Sequence, residues 1–134
     1  MTLDELSGLL SQAEFHKTLK VEAVALEADG ALTLKLPFDE GYTLFKKVGA
    51  YHGGVIASLI DVAGTMVCSA VKGRPTPTVD LRVDYLKSPV RCDLYADAVP
   101  RRIGRGIGVA DVTVRGEDGT VYAIGRGAFS TADG

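Results

Sequence analysis

Hydrophobic residues follow two different periods along this chain. From Gly54 to Val71 the sequence is almost wholly apolar, which predicts a helix over residues 53–72 that is covered on all sides by other elements. The interruptions are small or polar: Ser58, Asp61, Gly64, Thr65 and Ser69.

Elsewhere the period is two, which indicates strands. In residues 78–85 it places Val79, Leu81, Val83 and Tyr85 on one face and Thr78, Asp80, Arg82 and Asp84 on the other. One buried and one wet face is typical of an antiparallel sheet. Further strands are predicted at residues 19–26, 32–36, 94–101, 107–115 and 121–129. The dipeptides at residues 29–30 and 118–119, each Asp-Gly, predict tight hairpins.

The order of these elements decides the fold class. A short amphipathic helix begins the chain, with Thr2 and Glu5 as a capping box, and residues 38–52 form a loop with one helical turn. Two strands, then the long helix, then about four more strands follow. This order lacks the regular alternation of strands and helices that is typical of a parallel α/β protein. The class is therefore α+β, one domain over residues 1–134, with a sheet curled around a central helix.

Charge and composition exclude several functions. A net charge of −2 provides no basic field for nucleic acid. We expect no apolar stretch long enough to cross a membrane, and the N-terminus lacks the pattern of a secretory leader. Cys68 and Cys92 have no metal-like spacing and indicate reduced thiols in a cytoplasmic protein.

Asp61 is the first candidate for chemistry. Carboxylates are rarely buried unless a partner or a reaction needs them. Its neighbours at helical spacing form a small and polar stripe: Gly54, Ser58, Thr65 and Ser69. Such a stripe faces a strand hydroxyl, lines a cavity or lies on a subunit interface. Asp61 is either a structural acid bonded to nearby groups or a catalytic one.

The start of the helix is the second candidate. His52, Gly53 and Gly54 precede a long apolar segment, so the free amides of both glycines would point at a substrate carbonyl and stabilise an oxyanion. Alternatively, the glycines only allow a sharp turn. For His52 we favour a positioning role over that of a base.

A basic turn is the third candidate for a functional site. Arg101, Arg102 and Arg105 lie between two predicted strands, with glycines between and after them. They form either a solvated hairpin or a clamp for the phosphates of a nucleotide-bearing substrate.

Two motifs together resemble a known family. The segment of residues 52–61, HGGVIASLID, followed by TVDLRVDYL at residues 78–86, is similar to the hotdog-fold acyl-CoA thioesterases of the PaaI type, and the match runs from about residue 15 to the C-terminus. The resemblance implies an antiparallel sheet of five to six strands around one long helix. It also implies a homo-oligomer, a dimer of dimers, with active sites between subunits.

The resemblance assigns roles to four residues. Asp61 would activate water or attack the thioester directly. The Gly53 amide would polarise the thioester carbonyl, with His52 beside it. Thr78 would reach the site from the partner chain.

Further residues would bind the substrate. Arg102 and Arg105 would meet the phosphates of CoA. The other predicted substrate-binding residues lie on the helix and the preceding loop: Gly54, Ser58, Thr65, Tyr51 and Lys46. Lys46 stands where the family often has an asparagine, so it would pair with Asp61 and weaken it as a base, or bind an anionic acyl group or a CoA phosphate.

Hydrolysis of an acyl-CoA is thus the first hypothesis. It needs no metal and no cofactor, because CoA is part of the substrate, and the partners expected are the substrate and further copies of the chain. A non-catalytic acyl-CoA-binding protein is the alternative, and a hydratase or dehydratase that uses His52 and Asp61 is a third.

Overall fold

A six-stranded antiparallel sheet packs on one long helix in the computed structural model, which describes residues 1–133. In chain order the elements are α1 (Leu3–Leu10), α2 (Glu14–Leu19), β1 (Glu22–Leu26), β2 (Leu32–Leu36), a 3-10 turn (Glu40–Tyr42), α3 (Gly53–Lys72), β3 (Thr78–Tyr85), β4 (Leu94–Ile103), β5 (Ile107–Arg115) and β6 (Val121–Ser130). The strand order is β1-β2-β4-β5-β6-β3. The predicted fold class is confirmed.

The core lies between α3 and the sheet. Phe129 of β6 is completely buried, and its ring lies between Gly64 of α3 and Gly127 of β6. A Cβ atom at Gly64 would come within 2.7 Å of the ring. Glycine is unfavourable inside a helix, but here it lets helix and sheet approach closely enough to enclose the aromatic ring.

The prediction that no segment is apolar enough to cross a membrane is wrong for α3. The helix has 20 residues and a mean hydropathy of 1.8. However, 56% of its most apolar window is buried inside the protein. The sheet covers one side of it, as expected for the core helix of a globular domain, while Val71 is exposed and Asp61 is half-buried in the single chain.

The N-terminal region differs in part from prediction. The capping box of Thr2 and Glu5 is confirmed. Leu19 ends α2 rather than beginning a strand, because Lys20 adopts a left-handed conformation with φ 59°. Sequence reasoning missed α2 because its N-cap, Ala13, makes no side-chain hydrogen bond that would mark the helix start.

The loop and hairpin predictions are confirmed. The 3-10 turn lies inside the 38–52 loop. Gly30 and Gly119 adopt φ of 90° and 89° in the two hairpins, a region that favours glycine. Strand β4 continues two residues past its predicted end at residue 101.

Strand β3 breaks its own alternation. Thr78 pairs with Phe129 and Asp80 with Ala128, so Val79 is an extra residue in a β-bulge. The bulge moves Thr78 from the predicted wet face to the side of Phe129 and α3. Because β3 is an edge strand, Val79 is 62% exposed in the single chain and Tyr85 is 54% exposed, so the predicted burial of these two residues is wrong for the single chain.

Candidate active site

His52 caps α3 with its ring. Its Nδ1 accepts a hydrogen bond from the Gly54 N–H at 2.8 Å, so that nitrogen is unprotonated and the ring proton lies on Nε2. The prediction of two free amides is therefore wrong for Gly54. The Gly53 N–H has no hydrogen-bond partner within residues 1–133, so it is the donor left for a ligand.

Tyr85 fixes the same peptide from the other side. Its hydroxyl donates to the Gly53 carbonyl at 2.7 Å, so the peptide between Gly53 and Gly54 is held at both ends. A Cβ at Gly53 would lie 3.3 Å from the Tyr85 hydroxyl and ring, which is a packing reason for glycine here. Sequence reasoning missed Tyr85 because alternation marked it only as a strand residue.

A groove of 340 Å³ runs beside Gly53. Its lining residues are Leu44, Tyr51, Gly53, Ile56, Tyr85, Leu86, Lys87, Ser88 and Pro89. Tyr51 is only 3% exposed and its hydroxyl donates to the Cys92 carbonyl at 2.6 Å. Burial raises the pKa of Tyr51 above its ordinary value. Tyr51 therefore offers the groove an aromatic surface rather than a free hydroxyl.

Asp61 is held by a strand hydroxyl. The Thr78 O–H donates to Asp61 Oδ1 at 2.5 Å. Asp61 is half-buried rather than buried, and its Oδ2 accepts no hydrogen bond from any group in residues 1–133. The contact lies within one chain, so Thr78 orients the Asp61 of its own copy, and the expectation that Thr78 reaches the site from the partner chain stays a prediction.

The hydroxyls of the remaining stripe are engaged inside the fold. Ser58 donates to the Gly54 carbonyl at 2.8 Å. Thr65 donates to the Thr76 carbonyl at 3.4 Å, while the Thr76 hydroxyl donates to the Thr65 carbonyl at 3.1 Å and lies 3.0 Å from the Ser69 hydroxyl. This part of the stripe joins α3 to the segment before β3.

Gly53 and Asp61 are not neighbours within one chain. They lie on the same helix, eight residues apart, which separates them by about 12 Å along its axis. A single thioester group cannot contact both at once.

None of the three basic candidates pairs with Asp61 in the part of the chain that the structure describes. Lys46 is exposed, and its backbone carbonyl accepts from Arg91. Within residues 1–133 it forms no ion pair with Asp61, and its pairing with Asp61, like its binding of an anionic acyl group or a CoA phosphate, stays a prediction. Arg102 and Arg105 are exposed and form no ion pairs in the described chain.

The turn that carries Arg105 packs near the far end of α3. A Cβ at Gly108, just after this turn, would lie 2.7 Å from Cys68 Sγ, and Cys68 is seven residues past Asp61. Burial raises the pKa of the Cys68 thiol to about 11, so it is protonated at neutral pH. No metal-binding group of three or more His, Cys, Asp or Glu side chains occurs in residues 1–133.

Arg101 differs from its neighbours because it is paired. Asp111 accepts from Arg126 and from Arg101, each at 2.6 Å, on the face of the sheet that points away from α3. These hydrogen bonds lower the pKa of Asp111 to about 2, and the bond from Arg126 makes the largest contribution. Arg101 thus belongs to a structural charge cluster.

Comparison with known proteins agrees with this architecture. The family model described as "Thioesterase superfamily" matches residues 48–123. A protein of Halobacterium salinarum named "Putative esterase" is 35% identical over 94% of this chain and 92% of its own length. The crystal structure of a Haemophilus influenzae thioesterase superposes with a TM-score of 0.84 at 26% identity, covering 97% of this chain and 90% of the other.

A zebrafish structure, thioesterase superfamily member 2, superposes with a TM-score of 0.86 at 25% identity, covering 98% of this chain and 99% of the other. The matched family region contains both His52–Gly53 and the Asp61–Thr78 pair. The chain belongs to the thioesterase superfamily, with its hotdog fold.

Proposed function

We propose that the protein hydrolyses acyl-CoA thioesters to a carboxylic acid and free CoA. Membership of the superfamily supports a hydrolase. The observation that carries the proposal is the half-exposed Asp61 carboxylate, oriented by Thr78 through one oxygen while the other stays open.

Asp61 would act in one of two ways. As a general base it takes a proton from water, the water oxygen bonds to the thioester carbon, and the C–S bond breaks as the thiolate leaves and is protonated. As a nucleophile it displaces the thiolate itself and forms a mixed anhydride, which water then hydrolyses. Each route consumes one water and releases one acid and one thiol.

The Gly53 N–H would stabilise the negative charge that develops on the carbonyl oxygen. It lies at the N-terminus of a 20-residue helix, where the dipole favours an anion. His52 and Tyr85 would act as positioning residues, because they hold the adjoining peptide.

A complete site would require two copies of the chain. The separation of about 12 Å between Gly53 and Asp61 supports a composite site, in which His52–Gly53 of one copy faces Asp61–Thr78 of the other. The open edge of β3 and the exposed apolar side chains near it support such a contact. Those side chains are Leu44, Val79, Tyr85 and Leu86. A dimer of dimers is the assembly that we propose.

Exposed basic residues would complete the recognition of CoA. Lys46, Arg102 and Arg105 present unpaired cations, which suit the phosphates of a CoA held between subunits. The reaction needs no added cofactor, nucleic acid or membrane. Two free cysteines support a cytoplasmic location.

The experiment measures thiol release from a panel of acyl-CoAs by the wild type, Asp61→Asn and a matched control, Glu27→Gln. Glu27 is exposed on the turn between β1 and β2, at the opposite edge of the sheet from β3. We expect Asp61→Asn to lower kcat by about 10²- to 10⁴-fold with CoA-ester affinity retained, and Glu27→Gln to remain like the wild type. A wild type that binds CoA esters but turns over none would support the binding protein instead.

A further inference from the structure

Two segments that lie far apart in the sequence form the walls of the groove beside Gly53. One wall comes from a short hairpin over residues 43–51, in which the Leu44 N–H donates to the Ala50 carbonyl at 2.9 Å, and Leu44 lines the groove. The other wall is formed by residues 85–89. The width of the groove therefore depends on the contacts that join these two segments.

Arg91, just after the second wall, makes several of these contacts. Its N–H donates to the Gly49 carbonyl at 3.1 Å. Its guanidinium donates to the Glu40 carboxylate and to the Lys46 carbonyl, and lies 6.0 Å from the centre of the Phe38 ring. All four partners belong to residues 38–49, so this one residue joins the hairpin and the loop before it to the segment that carries the opposite wall.

The backbone of Arg91 is held in an unfavourable conformation. Its φ is 42°, in the left-handed region that favours glycine. A Cβ atom at Gly49 would come within 2.5 Å of Arg91 Nε, so the arginine side chain lies across Gly49. A turn of this shape alone would be more stable with glycine at position 91, so the contacts of the side chain offset the strain. Strained residues of this kind are concentrated at functional sites.

We propose that Arg91 is a positioning residue, which fixes the hairpin of residues 43–51 so that the groove is already formed when a thioester reaches the Gly53 N–H. Without Arg91 the hairpin would have to be ordered on binding, which lowers affinity. Gly53 itself is held by His52 and Tyr85, so the chemical step should depend little on Arg91. This inference rests on the proposed function.

Arg91→Gly tests the proposal by removing the side chain while the backbone keeps its shape. Glycine adopts the left-handed conformation without strain, which offsets the loss of an exposed ion pair, so the midpoint of chemical denaturation should change little. We expect KM for hexanoyl-CoA to rise by about three- to tenfold, with kcat changed by less than about twofold. A fall in kcat with KM unchanged, or an unchanged KM, would overturn the proposal.

Arg115→Ala is the matched control. Arg115 donates to the Asp97 carboxylate and the Gly116 carbonyl. It also lies 5.0 Å from the centre of the Tyr95 ring, so it makes the same three kinds of contact as Arg91. These contacts lie on β4, β5 and the turn after β5, outside both walls of the groove. The control removes the same charge and should leave KM and kcat like those of the wild type.

Arg91→Lys separates the geometry of the side chain from its charge, and keeps the proposal testable even if Arg91→Gly does not fold. Lysine carries the same charge, but it lacks the planar fork with which arginine donates to Glu40 and Lys46 at once. We expect KM to remain at least about twofold above that of the wild type. Complete restoration of KM by lysine would show that charge alone matters and would overturn the proposal.

Amide hydrogen exchange reports on the hairpin without any substrate. The Leu44 N–H and the Tyr51 N–H, which donates to the Pro89 carbonyl at 3.1 Å, should exchange at least about threefold faster in Arg91→Gly. The amide of Val112, in the core of the sheet, should exchange as in the wild type. Unchanged protection at Leu44 and Tyr51 would contradict a role for Arg91 in fixing the hairpin.

A binding measurement separates this inference from the proposed function. S-ethyl-CoA is a thioether without a carbonyl and is not hydrolysed, and its Kd should rise in Arg91→Gly by the same factor as KM. If the wild type binds S-ethyl-CoA but hydrolyses no acyl-CoA, the proposed function fails, while the two Kd values still decide the role of Arg91. If the wild type hydrolyses acyl-CoAs and Arg91→Gly binds S-ethyl-CoA equally well, only the inference about Arg91 fails.

Discussion

The start and the middle of α3 are built in opposite ways. At the start the proposed functional group is a backbone amide, the Gly53 N–H, and two side chains, His52 and Tyr85, hold the adjoining peptide. At the middle the proposed functional group is a side chain, Asp61, and a backbone irregularity, the bulge at Val79, brings Thr78 to it. Side-chain truncation therefore tests the two regions unequally, since no side chain can be removed from Gly53.

After Asp61→Asn, the largest effect that sharpens this comparison is expected at Gly53. Gly53→Pro removes the N–H but keeps the helix, because proline is favoured at the first helical position and His52 already has the extended conformation, φ −66° and ψ 133°, that precedes proline. We expect kcat to fall by about 10²- to 10³-fold. Gly53→Ala is the control, since it crowds Tyr85 similarly but retains the N–H. Equal losses in the two variants would contradict an oxyanion role.

Thr78→Val tests the middle of the helix. It keeps the shape of the side chain but removes the hydrogen bond to Asp61, and bonds to a charged group contribute about 1.5–3 kcal/mol. We expect a fall in kcat of about 10- to 100-fold with little change in KM. Thr78→Ser should restore most of the rate. A Thr78→Val enzyme as active as the wild type would show that Asp61 needs no such orientation.

Tyr85→Phe removes only the hydrogen bond from the Tyr85 hydroxyl to the Gly53 carbonyl at the start of α3. A neutral hydrogen bond contributes about 0.5–1.5 kcal/mol, so we expect kcat to decrease by about two- to tenfold while CoA-ester affinity is preserved. Tyr95→Phe, on a different strand, is the control and should behave as the wild type. A loss confined to stability, with kcat unchanged, would assign Tyr85 to packing alone.

The smallest effect is expected outside both regions, at Asp111. Its folded-state pKa of about 2 lies below the ordinary value of 3.8, so its ion pairs stabilise the fold above about pH 4 and this contribution disappears as the pH falls towards 2. Chemical denaturation should show Asp111→Asn to be less stable by under about 1 kcal/mol at pH 7, with the difference vanishing near pH 2. Thiol release at pH 7 should be unchanged. A difference that grew as the pH fell would contradict this account.

Local patterns predicted much of the fold and the positions of the candidate groups. The apolar segment predicted α3, the alternation of apolar and polar residues predicted most strands, and the two Asp-Gly dipeptides predicted the hairpins. These elements were predictable because each signal depends on residues close in sequence. Asp61, Gly53 and His52 were recognisable for the same reason, since a carboxylate in an apolar helix and glycines at a helix start are local signals. Helix α2 was missed because it lacks a capping side chain.

The sequence alone determined which residues can form helix and strands and which groups have catalytic chemistry, because periodicity and residue type are carried by the chain itself. The tertiary structure decided how those groups are arranged. The bulge at Val79 places Thr78 on the side of Asp61. The His52 ring accepts the hydrogen bond of the Gly54 N–H. Tyr85, 32 residues further along the chain, donates a hydrogen bond to the Gly53 carbonyl. These contacts depend on strand register and on the packing of β3 against α3, which follow from the whole core rather than from any local segment.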